Sequence, residues 1–372
     1  MKNLLIQLPS EPARNYPIFI GAELLLKLEE FLASHFPKSQ LVIITDHQVE
    51  KMYGTVLAEA LLQRGHQVLL LAFQAGEKFK TAKTKAQLEE QMLQYHCGRD
   101  TVILALGGGV VGDVAGFVAA TYLRGVPYVQ LPTTLLAMLD SSVGGKTGIN
   151  TSHGKNLIGA YWQPSAVIDD LNFLKTLSQK QFTSGFVEAV KMFLTSDRKQ
   201  FLRVQEQLER VLARDALLLE EIISAAVSIK MGVVERDEKE AGERMILNFG
   251  HTIGHALEKV SRYKIMHGYA VALGILVEMK ISELLGICSA EDYSVVQKFF
   301  AHLKITPALL AKMDPLQILE ATRHDKKRDA DMVRYILLSK IGEIDRTKGA
   351  VVHFVPDAIV LKALNTMKQL LF

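Results

Sequence analysis

The stretch LNFGHTIGHALEKVSRYKIMHGYAV, residues 247–271, holds three histidines within seventeen positions. His251 and His255 are four apart, so on a helix they share one face, and HxxxH on a helix can chelate zinc. The metalloprotease form of that motif carries glutamate directly after the first histidine, where this chain has Thr252. The alternative is a pair of hydrogen-bonded structural histidines. His267 stands before Gly268 and an apolar run, which suits a ligand at a helix start. Glu188 in SGFVEAVKMF lies on an otherwise apolar helical face, where a carboxylate is costly unless a cation or a metal pairs with it. Lys191, three residues on, offers an intrahelical ion pair as a second explanation. One carboxylate, two histidines and open positions for substrate oxygens would make a catalytic zinc site.

A second constellation is glycine-rich. In ALGGGVVGD, Gly107, Gly109 and Gly112 satisfy G-x-G-x-x-G between a strand pattern and a helix pattern. Such a turn lets backbone N–H groups approach a pyrophosphate at the positive end of a helix. The fingerprint also wants an acid about 20 residues on, at the end of the next strand, and VQLPTT has none; Asp46 in IITD ends an earlier strand instead. Either a sheet of different strand order binds the nucleotide, or the glycines only make a tight turn. AGEKFKT (75–81) puts Glu77, Lys78 and Lys80 past another strand end, and LPTTLLAMLDSSVGGKTGIN (131–150) adds Thr133, Thr134, Asp140 and Lys146. Lys146 and Lys155 each follow a glycine in what reads as polar loop, and with Asn156 they could receive a phosphate.

Positioning these groups requires a scaffold, and the chain supplies two kinds. QLVIITD (40–46), HQVLLLAF (66–73), DTVILALGGG (100–109), PYVQLP (127–132) and SAVIDDL (165–171) read as strands separated by helix-length segments such as TAKTKAQLEEQMLQYH (81–96). Near-continuous apolar strands alternating with helices predict a parallel sheet covered on both faces. After about residue 177 the strand signal nearly vanishes, and residues 200–235 and 276–287 carry helical periodicity. DMVRYILLSKIG (331–342) reads as a lone hairpin strand. The expectation is an α/β N-terminal domain over 1–177 with a parallel-rich sheet, a mainly α-helical C-terminal domain over 178–372, and an active site in the cleft between them.

With 372 residues, 49% hydrophobic and 22% charged, the chain is long enough for two cores. A formal charge of +3 gives no reason to expect nucleic acid or an anionic membrane. Cys97 and Cys288 are isolated, which fits a reducing compartment and argues against a disulfide framework. The first residues lack the apolar core of a signal peptide, and YAVALGILVEMKISELLGI carries Glu278, Lys280 and Glu283, so it reads as a buried helix. A soluble cytoplasmic protein is expected.

GGGVVGDVAGFVAATYLRGVPYVQLPTTLLAMLDSSVGGKTGIN, HGKNLIGAYWQP, GFVEAVK, VVERDEKEAGERMILNFGHTIGHALE, HGYAVALG and DKK follow one another in this order. Together, from about residue 75 to 342, they resemble the 3-dehydroquinate synthase family. The resemblance implies conversion of 3-deoxy-D-arabino-heptulosonate 7-phosphate to 3-dehydroquinate and phosphate. The implied steps are transient oxidation at C5, phosphate elimination, re-reduction, ring opening and intramolecular aldol closure. It implies NAD used catalytically, a divalent metal (zinc, with cobalt as the second choice) and a homodimer.

By the same resemblance Glu188, His251 and His267 match the metal ligands, and His255 matches a residue on the substrate side. Asp46, Glu77, Lys80, Gly108, Gly109, Val110, Asp113, Thr133, Thr134, Leu136, Asp140, Lys155, Phe173, Thr176 and Leu177 match positions around NAD. Arg124, Asn156, Lys191, Lys230, Arg244, Asn248 and one lysine of the DKK run (Lys326 or Lys327) match substrate contacts, Arg124 reaching across the dimer. Lys146 counts with both sets. The chain departs from the family pattern at Tyr269, where glutamate is expected, at Met192 and Phe193, where Tyr–Gly is expected, and at Gln48, where asparagine is expected. Sister sugar-phosphate cyclases, NAD- and metal-dependent polyol dehydrogenases and a silent binding subunit are the competing readings. Arg244, suited to a substrate carboxylate, and SSVGGKTGIN favour dehydroquinate over the first. The basic set speaks against the second, and the presence of every matched ligand against the third.

Overall fold

A computed structural model describes residues 15–311, 313–323, 333–346 and 349–369. Its strands up to residue 170 are β1 (Ile18–Gly21), β2 (Leu41–Asp46), β3 (Val68–Phe73), β4 (Val102–Gly107), β5 (Tyr128–Pro132), β6 (Lys146–Thr151), β7 (Gly154–Tyr161) and β8 (Ala166–Asp170). Six of them form one sheet in the order β1-β8-β5-β4-β2-β3, and every pairing in it is parallel. Side chains alternate along a strand, and here both sides are apolar. Val42, Ile44, Ile103 and Ala105 pack with Val114 and Val118 of the helix Gly109–Thr121. Leu41, Ile43, Val102 and Leu104 pack on the other face with Leu28, Phe31 and Leu32 of the helix Leu25–His35. Double coverage is why these strands read as unbroken apolar runs.

The strand order answers the question of the missing acid. The chain lays β3 outside β2, returns to place β4 on the other side of β2, and then adds β5 beyond β4. The direction of winding reverses between β2 and β4, and open α/β sheets bind ligands at such a point. Asp46, at the end of β2, therefore stands beside the glycine turn that follows β4.

Two expectations need correction. Lys146 and Lys155 lie on β6 and β7, an antiparallel hairpin, and not in a polar loop. Glycines face each other across it (Gly148 against Gly159), and much of β7 is exposed, so neither an apolar run nor an alternation marks it. Within 331–342, Arg334–Tyr335 pairs with His353–Phe354 and Leu338–Lys340 with Glu343–Ile344. These are two short ladders in place of one hairpin strand, because buried Ile336 and Leu337 turn into the core between them.

Beyond the sheet the chain is mainly helical. Gln179–Ser196, Ala216–Arg236, His251–Val260 and His267–Leu284 share one apolar core. Ser178 and Asp215 cap the first two by accepting hydrogen bonds from Gln181 N and Leu218 N. Among the described residues no helix is long and apolar enough to cross a membrane.

Candidate active site

Two helix starts and one helix middle meet at a single point. His251 and His267 are each the first residue of their helices, and Glu188 lies midway along Gln179–Ser196. Gly268 allows that approach: a side chain there would collide with the Ser184 carbonyl, and its N–H donates to Ser184 Oγ at 3.0 Å. Gly250 turns the chain into His251 at φ 77° and donates its N–H to the buried Glu278 carboxylate at 2.8 Å.

Glu188 is fully buried, and its Oε1 lies 3.7 Å from His251 Nε2 and 3.6 Å from His267 Nε2. These separations are long for hydrogen bonds. They match two donors on one tetrahedral ion, which at about 2.1 Å each stand about 3.4 Å apart. The far side of each ring supports this. His251 Nδ1 is 3.2 Å from the Phe249 carbonyl oxygen, and His267 Nδ1 is 3.4 Å from Glu258 Oε2. An acceptor at Nδ1 keeps one proton there, so a neutral ring, as His251 is and as His267 becomes on giving up its second proton, turns the Nε2 lone pair toward Glu188. Two ring lone pairs and a carboxylate oxygen then converge, a donor set that fits a divalent metal. Lys191 Nζ approaches the other oxygen, Glu188 Oε2, at 2.5 Å, so the intrahelical pair and the three-ligand group coexist.

His255 takes another role in the geometry. It is exposed, and it belongs to an outer group with Glu258 and His267. Its ring stands 5.4 Å from that of His251.

Burial and charge set the protonation of these groups. Burial would raise the Glu188 carboxyl, but Lys191 and the two histidines hold it well below the usual range. Burial, then Lys191, press His251 down to about 3, so its ring is neutral. Burial also disfavours charge on His267, yet Glu188 and Glu258 outweigh it and push the ring up to about 10. Glu258 is held at about 2 against its own burial, by His267 and Lys155.

Around this centre lies a belt of cations. Lys230 pairs with the Asp140 carboxylate, and Lys80 reaches both Asp113 and Asn156. Arg244 is buried, with its guanidinium donating to the Glu238 carbonyl and, at 3.2 Å, to the Gly144 carbonyl. Lys146 pairs with Glu240, whose other oxygen accepts from Asn248 Nδ2 at 2.7 Å.

A cleft of about 920 Å³ runs from the sheet to this centre. Asp46, Glu77, Lys80, Gly108, Gly109, Val110 and Asp113 line it from the ends of β2, β3 and β4. Thr133, Thr134, Leu136, Lys155, Asn156, Thr176 and Leu177 close it, and His255, Glu258 and His267 stand on the helical side. Three residues expected around NAD lie outside its lining. The Asp140 carboxylate turns to Lys230, Lys146 turns to Glu240, and the Phe173 ring packs edge-on against Tyr53, which itself borders the cleft. Arg124 is exposed, away from the cleft, at φ 71°. Lys326 and Lys327 lie outside the described residues.

Sequence reasoning overlooked Glu258 and Glu240. Glu258 follows His251 and His255 at i+7 and i+3, on the same helical face, so spacing alone could have found it. Glu240 sits in the charge run DEKE, which carries no such signal. Of the departures, Tyr269 hydrogen-bonds Thr183 on the Glu188 helix, Met192 and Phe193 are buried in the helical core, and Gln48 borders the cleft beside Asp46.

The family model described as 3-dehydroquinate synthase N-terminal matches residues 70–184, and the one described as 3-dehydroquinate synthase C-terminal matches residues 185–328. A 3-dehydroquinate synthase of Dehalococcoides mccartyi is 41% identical over 330 residues, which cover 89% of this chain and 92% of that protein. One of Nitrosospira multiformis is 39% identical over 368 residues, covering 98% of each. Among solved structures, a 2-deoxy-scyllo-inosose synthase complexed with carbaglucose-6-phosphate, NAD+ and Co2+ is similar with a TM-score of 0.86 at 30% identity, covering 94% of this chain and 96% of that one.

Proposed function

The chain belongs to the 3-dehydroquinate synthase family, and we propose that it is a carbon–oxygen lyase forming 3-dehydroquinate and phosphate from 3-deoxy-D-arabino-heptulosonate 7-phosphate. The observation that carries the reading is the convergence of Glu188, His251 and His267 at one end of a cleft whose other end is the β4 glycine turn. We assign residues 1–177 to nucleotide binding and 178–372 to metal and substrate.

When bound, a divalent metal at Glu188, His251 and His267, zinc in the first instance, and NAD along the sheet edge supply Lewis-acid polarisation and a reversible hydride acceptor. Asp46 offers its carboxylate to ribose hydroxyls, and the backbone at Gly108 and Gly109 opens a helix toward a pyrophosphate. Thr133, Thr134 and Lys155 add donors along the same path.

Arg244, steadied by two backbone carbonyls, presents its planar fork to the substrate carboxylate. Lys146 and Asn248, now held by Glu240, Lys230, held by Asp140, and Asn156 receive hydroxyl and phosphate oxygens, with Lys327 as a further phosphate contact. Lys191 Nζ stands where it can hold a proton beside the reacting hydroxyl, and the exposed His255 passes protons on toward solvent. The departing phosphate can itself take the adjacent C–H proton. A homodimer in which Arg124 reaches the partner's cleft and a cytoplasmic location complete the reading.

Product analysis tests it. With NAD and Zn2+ present, the heptulosonate phosphate should yield 3-dehydroquinate, identified by proton NMR. Turnover of a sugar phosphate lacking the carboxylate, with none of the heptulosonate, would instead make this chain a sister cyclase.

A further inference from the structure

Glu258 touches both halves of the cleft. It is 6% exposed on the helix His251–Val260. Its Oε2 lies 3.4 Å from Nδ1 of His267 in the helical half, and its Oε1 lies 3.1 Å from Nζ of Lys155 on β7. Lys155 also stands 4.2 Å over the Tyr263 ring and borders the cleft that leads to the glycine turn. Building on the cofactor assignment above, we propose that Glu258 is a positioning residue that couples nucleotide-phosphate binding at Lys155 to metal binding at His267.

The physical argument has two parts. A carboxylate accepting the Nδ1 proton fixes the ring's tautomer and orientation and makes Nε2 a better donor atom. An ammonium on the same carboxylate withdraws part of that effect. A pyrophosphate entering the cleft competes for Lys155, and as the ammonium moves to phosphate, Glu258 directs more of its charge at His267. Nucleotide therefore tightens the metal, and by linkage the metal tightens nucleotide by the same factor. The outer group of His255, Glu258 and His267 is thereby a support for the inner one. One of its carboxylate oxygens is committed to Lys155, and it meets His267 at the nitrogen that faces away from Glu188.

Co2+ titration against a competing chelator, followed by d–d absorption with and without NAD, tests the coupling. In the wild-type chain NAD should tighten Co2+ by about 5- to 150-fold, the usual range of coupling between sites. Glu258→Gln keeps the shape, and should weaken Co2+ about 10- to 100-fold without NAD and abolish the coupling. Lys155→Met should bind Co2+ at least as tightly as wild type without NAD, yet lose the coupling, a pattern that general damage to the fold does not produce. Wild-type Co2+ affinity in Glu258→Gln, or coupling that survives in both variants, would overturn the proposal. A wild-type chain that bound neither Co2+ nor NAD would overturn the cofactor assignment itself.

Discussion

Glu188 Oε1 and His251 Nε2 face each other across 3.7 Å with no proton assigned between them. Lys191 and the charged His267 ring hold this cluster together in the metal-free chain, and an ion that displaced the His267 proton would meet three donors already in place. The consequence is a division of labour among the three histidines. His251→Ala and His267→Ala should each lower Zn2+ or Co2+ affinity at least about 100-fold, in line with loss of a ligand. His255→Ala should retain the metal and lose about 10²- to 10⁴-fold in kcat, the range for a lost proton-transfer group. Metal content of the purified variants, read beside their rates, checks this; loss of metal from His255→Ala would reverse the assignment.

Metal uptake should release a proton. Before a metal enters, His267 keeps its ring charged up to about pH 10 because Glu188 and Glu258 flank it. A ligand must be neutral, so at pH 8 each ion bound should displace close to one proton, measured by calorimetry in buffers of different ionisation enthalpy. The same raised value stabilises the metal-free chain. That contribution is fully present below about pH 6.5, the unfolded value, and is lost as pH rises through about 10. Thermal melts of the metal-free chain should fall across that window, and His267→Ala should flatten the fall.

Glu240 joins Lys146 to Asn248. Residues sharing one carboxylate act as a unit, so their effects should not add. Glu240→Gln and Lys146→Met should each lower kcat/KM about 10- to 100-fold, and the double variant should be little worse than the poorer single one. Multiplying effects in steady-state kinetics would separate the two.

Asp169 is an acid buried within the sheet. It is fully buried on β8, neither carboxylate oxygen has a hydrogen-bond partner among the described residues, and burial raises its pKa well above the usual value. Asp169→Val should stabilise the chain by about 1–3 kcal/mol, the cost of a buried polar group left unsatisfied. An acid whose folded pKa is raised loses stability as pH climbs above its unfolded value of about 3.9. The gain in Tm should therefore be larger at pH 7.5 than at pH 4.5.

Legibility followed the range of the interactions. β2, β4, β5 and β8 stood out because both faces are buried and each ends in Gly, Asp or Pro, and β3 because its run VLLLAF is wholly apolar. β1 is four residues long, and the β6–β7 hairpin is glycine-rich and largely solvated, so neither carries a periodicity. At the site, Glu188 was visible as a carboxylate on an apolar helix. Helical spacing alone pairs His251 with His255, since it knows one helix at a time. The geometry instead brings His267 from another helix through the close contact at Gly268, a relationship between distant segments. Asp46 beside the glycine turn is likewise a product of strand order, which local pattern does not encode.

The most direct test of the proposed reaction counts phosphate against NAD. With the heptulosonate phosphate in large excess, Zn2+ present and NAD at a few per cent of substrate, inorganic phosphate and absorbance at 340 nm are followed together. The account predicts many phosphates released per NAD with no net NADH. Phosphate release that stops at the amount of NAD supplied, or NADH that accumulates mole for mole with substrate consumed, would contradict it.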